Sequence, residues 1–80
     1  DEARYEEKLL VDEKPEQLLE KYGQYGFALA QSTYFDNMNH IEILHVEDFV
    51  FDTGEIMKIA RAYRKSFRDA FVKRFTNKYS

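Results

Sequence analysis

Over residues 52–79 the apolar positions recur every three or four residues, and no Gly or Pro interrupts the chain after Gly54. At about 100° per residue, Ile56, Ile59, Ala60, Tyr63, Phe67, Ala70 and Phe71 fall in a sector about 120° wide, which predicts one long amphipathic helix with a core-facing stripe. Asp52-Thr53-Gly54-Glu55 opens it with an Asp and a Glu at capping-box spacing. Lys58, Arg61, Arg64, Lys65 and Arg68 fill a neighbouring sector. After Phe71 the pattern turns. Arg74 and Lys78 land where the core stripe should continue, while Val72, Phe75 and Tyr79 form a second apolar line facing the basic sector. A helix of about 26 residues spans roughly 39 Å, against a width of roughly 30 Å for a compact chain of this length. The last two turns are therefore expected to overhang the core or fray.

The earlier part of the chain is less regular. Pro15 at the first helical position, Glu16 in the first turn, the apolar set Leu18, Leu19 and Tyr22, and Gly23 as a left-handed stop predict a helix over Pro15–Tyr22. Residues 27–34 alternate as a strand, with Phe27, Leu29, Gln31 and Thr33 on one face and small residues on the other. Asp36-Asn37-Met38-Asn39 carries turn chemistry. His40-Ile41-Glu42-Ile43 alternates again, but the parity slips at Leu44, and Phe49 and Phe51 resume it only if His45 and Glu47 are buried. A bulge or tight turn at residues 45–48 avoids that burial. Residues 2–11 admit a short helix, on the Tyr5/Leu9 spacing and good helix formers, or a strand through Lys8-Leu9-Leu10-Val11; the helix is the reading preferred. Merging residues 15–36 into one central helix would look like a histone fold, but it would place Gly23 and Gly26 mid-helix at roughly 1 kcal/mol each.

The pattern thus predicts an α+β domain spanning residues 1–80: short N-terminal helices, a small two- or three-stranded antiparallel sheet, and the long C-terminal helix packed on it. Composition is consistent with a folded chain. Leu, Ile, Val and Phe make up 21 of 80 residues, above the roughly 20% below which disorder is expected. Seven Phe and six Tyr supply much of the bulk. There is no Cys, which removes disulfides and thiolate metal sites and fits a reducing, intracellular setting such as the cytoplasm. The longest apolar run, Phe27-Ala28-Leu29-Ala30, is too short to span a bilayer. The chain opens on charges and without Met, as a processed or trimmed chain does.

Charge changes the picture more. Residues 1–20 carry eight acids against three bases, residues 21–54 five against one, and residues 55–80 two against eight. Either the acidic and basic segments attract each other within one fold, or the basic surface meets an anionic partner.

No catalytic chemistry emerges. His40-x-Glu42-x-x-His45-x-Glu47 invites a metal reading, yet on a strand the two His/Glu pairs point to opposite faces, and the spacing is not that of the helical zinc motif. Asp36-Asn37-Met38-Asn39 lacks the glycine and terminal Glu of a calcium loop. Three glycines form no phosphate loop, and the serines lack His/Asp company. An enzyme, a cofactor, a metal and a small-molecule substrate are not expected, nor is a membrane.

The function that fits best is a small interaction or regulatory module binding another protein or itself. Its contact residues would be Arg61, Arg64, Lys65, Arg68, Val72, Phe75 and Tyr79, suited to a partner with an acidic surface. In the runner-up reading the same basic sector binds nucleic acid. A competing structural account has the N-terminal segment, with Tyr5, Leu9 and Leu10, covering Phe75.

Overall fold

The computed structural model describes residues 6–12 and 14–79, with the side chains of residue 15 and of residues 77–79 outside the described set. In chain order the elements are β1 (Lys8–Leu10), α1 (Pro15–Tyr22), β2 (Phe27–Leu29), β3 (Tyr34–Asn37), β4 (Ile41–Leu44), β5 (Asp48–Phe51), β6 (Ile56–Lys58) and α2 (Arg64–Tyr79). Short 3-10 turns at Gly23–Tyr25, Met38–His40 and Arg61–Tyr63 join them. The class is α+β, as the pattern implied. The strands, however, make two antiparallel three-stranded sheets, β1-β3-β2 and β4-β5-β6, where one small sheet was expected.

The first sheet is packed on both faces. In its register Leu9, Phe35 and Leu29 lie side by side. Phe27 and Phe35, stacked at 5.6 Å, form a cluster with Leu18 of α1, to which Leu9, Val11, Tyr22 and Leu29 are added. The opposite face contributes Ala28 to the main core, with Ala30, Met38, Phe49, Phe51, Met57, Ile59 and Phe67. The small residues of β2 therefore let the second sheet and α2 approach closely, as the alternation of residues 27–34 suggested. That segment is not one strand: it bends at residues 30–33 and returns as β3.

Pro15 and Glu16 start α1 as expected. Gly23 keeps right-handed angles (φ −56°), and the left-handed residue is Gly26 (φ 94°). There the peptide is committed on both sides, since Gly26 N–H donates to Gly23 O and Met38 N–H donates to Gly26 O. Residues 8–10 are a strand rather than part of a helix, because the edge of β3 supplies hydrogen-bond partners for this short segment: Val11 N–H donates to Thr33 O, and Asn37 N–H to Glu7 O. The part of that helix reading on residues 1–5 lies outside the described residues. Asn37 still makes an Asx turn, accepting the Asn39 N–H at 3.0 Å.

The tight turn expected near residues 45–48 is present. His45 N–H donates to Asp48 O at 2.8 Å, and β4 pairs with β5 with a register irregularity between Ile41 and Ile43. Ile43, Val50 and Ile56 consequently align across the outer face of the second sheet.

The largest departure concerns residues 52–63. They do not open a helix. Gly54 takes φ 92°, Phe51 N–H donates to Glu55 O, and the chain folds back as β6 with Met57 opposite Phe49. Asp52 is unavailable for a cap, because its N–H donates to His40 O and its carboxylate lies 2.9 Å from His40 Nδ1. The burial sequence also has the strand period: Met57 and Ile59 are buried, while Ile56 is 64% exposed.

α2 is thus 16 residues long, about 24 Å at 1.5 Å per residue, and fits within a body measuring 29 × 27 × 24 Å. No overhang is required. Nor does α2 taken whole separate an apolar from a charged face. Phe67 is buried, Phe71 and Phe75 pack beside the core with ring centres 4.6 Å apart, and Val72 is exposed.

Two substitutions on the same helix should separate the core from the surface. Phe67→Ala removes a fully buried ring and is expected to cost about 3–5 kcal/mol. Val72→Ala should change stability by no more than about 0.5 kcal/mol. Urea midpoints measured at constant slope give both values.

Candidate interaction groove

An open groove of about 800 Å³ runs between α2 and the β4–β5 turn, lined by Leu44, His45, Val46 and Ile59 on one side and by residues of α2 on the other. Local geometry builds each wall. The turn is closed by the His45–Asp48 backbone bond and by His45 Nδ1 lying 2.8 Å from Asp48 Oδ1. That closure leaves Val46 at the tip, 72% exposed. On the helix, Arg64, Arg68, Val72 and Thr76 recur four residues apart and make one line, with Lys65, Asp69 and Lys73 on the adjacent line. Ile59, whose N–H donates to Glu47 O, ties the base of the turn to the start of the helix region.

The expected contact residues separate on inspection. Arg64, Lys65, Arg68 and Val72 all line this groove. Arg64 also serves the fold: its Nε donates to Ile59 O at 3.2 Å, and Nη1 lies 4.0 Å from Glu47. Lys65 pairs with Asp69 at 3.1 Å across one helical turn, a fully solvated contact that contributes little. Arg61 is exposed in the turn before α2 and does not line the groove. Phe75 is half-buried against the main core and Phe71, so it belongs to the packing. The Tyr79 side chain lies outside the described residues, as does Tyr5; the other two residues expected to cover Phe75 do not cover it, since Leu9 packs in the Leu18, Phe27 and Phe35 cluster and Leu10 is exposed.

Sequence reasoning missed the opposing wall, Leu44, Val46 and Ile59, and also Lys73 and Thr76. The wall depends on non-local packing that periodicity within α2 cannot reveal. Lys73 was legible in principle, since it lies on the line through Lys65 and Asp69. Arg74, which disturbed the expected stripe, donates from Nε to Asn39 Oδ1 and lies over Gly26, anchoring the far half of α2.

The sequence-level metal reading finds no geometry to support it. His40 is directed to Asp52 and His45 to Asp48. Among the described residues no group of three or more His, Asp or Glu side chains is placed to hold a metal ion. No helix among them is long and apolar enough to cross a membrane. A second hollow, between α1, β2 and α2, is walled by core residues such as Phe27, Phe35 and Phe67, with Glu16 and Ser66 as its polar groups.

A buried charge lies elsewhere. Asp36 is fully buried in β3, opposite Lys8 on β1 and Ala28 on β2, and neither carboxylate oxygen has a hydrogen-bond partner among the described residues. Burial pushes its pKa from 3.8 up to about 7, against smaller downward pulls from the Ala30 N–H and the Lys8 charge. The Ala30 N–H acts here as a nearby dipole, not as a bond of good geometry. Lys8 is drawn away towards Glu55, at 2.7 Å, which raises the Lys8 pKa and lowers that of Glu55.

Comparison with protein-family models, with curated proteins and with solved structures gave no significant match.

Because Asp36 binds its proton more tightly folded than unfolded, the stability it allows is fully present below pH about 4 and falls as pH rises through about 7. The loss is on the order of 4 kcal/mol for a shift of about three units. Asp36→Asn should abolish this slope. It is expected to leave stability near pH 5 within about 1 kcal/mol of wild type and to raise it near pH 8 by about 1–3 kcal/mol. Urea unfolding at the two pH values measures the difference.

Proposed function

We propose that this chain is a small, non-enzymatic interaction module whose partner protein docks in the groove between α2 and the β4–β5 turn. One observation supports this most directly. Arg68, Val72 and Lys73 share an open groove with Leu44 and Val46, yet Arg68 and Lys73 make no ion pair among the described residues. Exposed apolar side chains rimmed by unpaired cations have the composition of a docking surface. The two walls are held from within, by Arg64 on Ile59 O and by the His45–Asp48 closure, so little ordering would be needed on binding.

The Ile43–Val50–Ile56 row on the second sheet is a weaker candidate. It is flanked by the neighbouring Asp48/Lys58 cross-strand pair and carries no charge pattern that would select a partner. The nucleic-acid reading loses ground on the same grounds as Arg61 and Arg64: one lies outside the groove, and the other is bonded to the backbone. Asp69 also lines the groove, where its carboxylate would repel a phosphate backbone.

The test is a selection of random peptides displayed on phage against the wild-type protein and against Arg68→Glu/Val72→Glu. Both substitutions are on exposed positions, so urea midpoints should agree within about 0.5 kcal/mol. Peptides enriched on the wild type are expected to lose at least about tenfold in affinity for the variant. Peptides that bind both proteins equally, or a selection that enriches none, would exclude this surface.

A further inference from the structure

We infer that the groove takes a short acidic–apolar segment of a partner protein, with large apolar side chains between carboxylates. The inference rests on the reading of the groove as a docking surface and adds the chemistry of what docks.

Charge gives the first part of the argument. The groove is lined by four cations, Arg64, Lys65, Arg68 and Lys73, against the single carboxylate of Asp69. Asp69 is engaged with Lys65, and Arg64 is engaged with the Ile59 carbonyl. Arg68 and Lys73 are left to meet incoming charge. A guanidinium prefers a carboxylate that it can grip with two parallel hydrogen bonds, while Lys73 accepts any nearby anion.

Shape gives the second part. Arg64 to Thr76 covers thirteen residues of α2, about 18 Å of wall between the first and the last. That length accommodates about five or six residues of extended chain or about three turns of helix. The stretch is not uniformly charged. Val72 follows Arg68 on the same line, and Leu44 and Val46 line the other side. A ligand bearing only phosphates would leave these apolar groups uncovered, whereas one bearing only apolar side chains would desolvate Arg68 without a partner. An alternation of the two satisfies both.

The probes are two short synthetic peptides with a central Leu-Phe-Leu, one flanked on each side by Glu pairs and the other by Lys pairs. Fluorescence anisotropy should show the Glu peptide binding at least about tenfold more tightly than the Lys peptide, with the difference shrinking at high salt. Arg68→Glu/Lys73→Glu should reverse the order. Equal binding of both peptides, lost on Val72→Glu, would overturn the acidic chemistry while leaving the groove as a docking surface. Binding that ignores all of these substitutions would overturn both. Displacement of the Glu peptide by a generic DNA duplex, with steep salt dependence, would assign the cations to phosphate instead. A stable dimer by sedimentation that the Glu peptide cannot dissociate would make a second copy of this chain the occupant.

Discussion

The ring of Phe49 is fully buried, stacked on Phe67 of α2 at 5.0 Å and edge-on to Phe51 at 5.0 Å. Met57 is its cross-strand neighbour on β6, and Ala28 and Ala30 close the same cluster from the first sheet. Both sheets and the helix therefore meet around this one side chain, although the first sheet also has its own cluster with α1. A chain of 80 residues has no second core of comparable size to fall back on. The aromatic geometry adds orientation to the burial, since stacked and edge-on rings are favoured over arbitrary ones. It also fixes the rotation of α2 about its axis.

That rotation decides what the rest of the helix can do. With Phe67 turned into the core and Phe71 and Phe75 following it, the neighbouring line Arg64, Arg68, Val72, Thr76, about 100° further round the helix, comes to lie beside the β4–β5 turn. Two side-chain bonds then fix the helix at separate points, Arg64 on Ile59 O near its start and Arg74 on Asn39 further along. The groove is a by-product of packing. The basic side chains on α2 divide accordingly: those nearest the anchors hold the fold, and those between them remain available.

How far this was legible in the sequence varied with the locality of the signal. Pro15 and Glu16 mark α1 by chemistry that acts within one turn, and the reading held there. The turn at residues 45–48 was forced by the cost of burying His45 and Glu47, again a local argument, and it is present. Residues 56–59 misled because Ile-Met-Lys-Ile satisfies two periods. Helical spacing put Ile56 and Ile59 inwards, while the strand period buries Met57 and Ile59. The arbiter was Gly54, read as part of a cap when it is the left-handed residue of a turn. The candidate site was half legible. Arg64, Lys65, Arg68 and Val72 lie on one helix and could be grouped from spacing alone, but Val46 joins them only through the tertiary fold. Asp36 carries the chemistry of a turn residue yet lies buried in β3, and no sequence signal distinguishes a turn Asp from one buried between strands.

The segregation of charge along the chain can now be weighed against the ion pairs that form. If acidic and basic segments existed to hold each other, the bases of residues 55–80 should be consumed by the acids of residues 1–54. Among the described residues the pairing that crosses this boundary from α2 is Arg64 with Glu47, at 4.0 Å, which is long for a strong contact. Lys65 takes its partner from its own helix, and the basic residue of the first sheet, Lys8, goes to Glu55. Lys8 does so although Asp36 lies directly across the ladder, buried and without a hydrogen bond. In the pair with Glu55 the carboxylate stays hydrated and the ammonium lies over the Tyr34 ring at 4.8 Å, whereas meeting Asp36 would take both charges out of water. Among the described residues, internal neutralisation of the α2 bases is therefore the minor outcome. Lys58, Arg61, Arg68 and Lys73 form no ion pair among the described residues, and two of them border the groove with the exposed valines. Cations that form no ion pair among the described residues are the physical reason to look for their counterpart on another molecule.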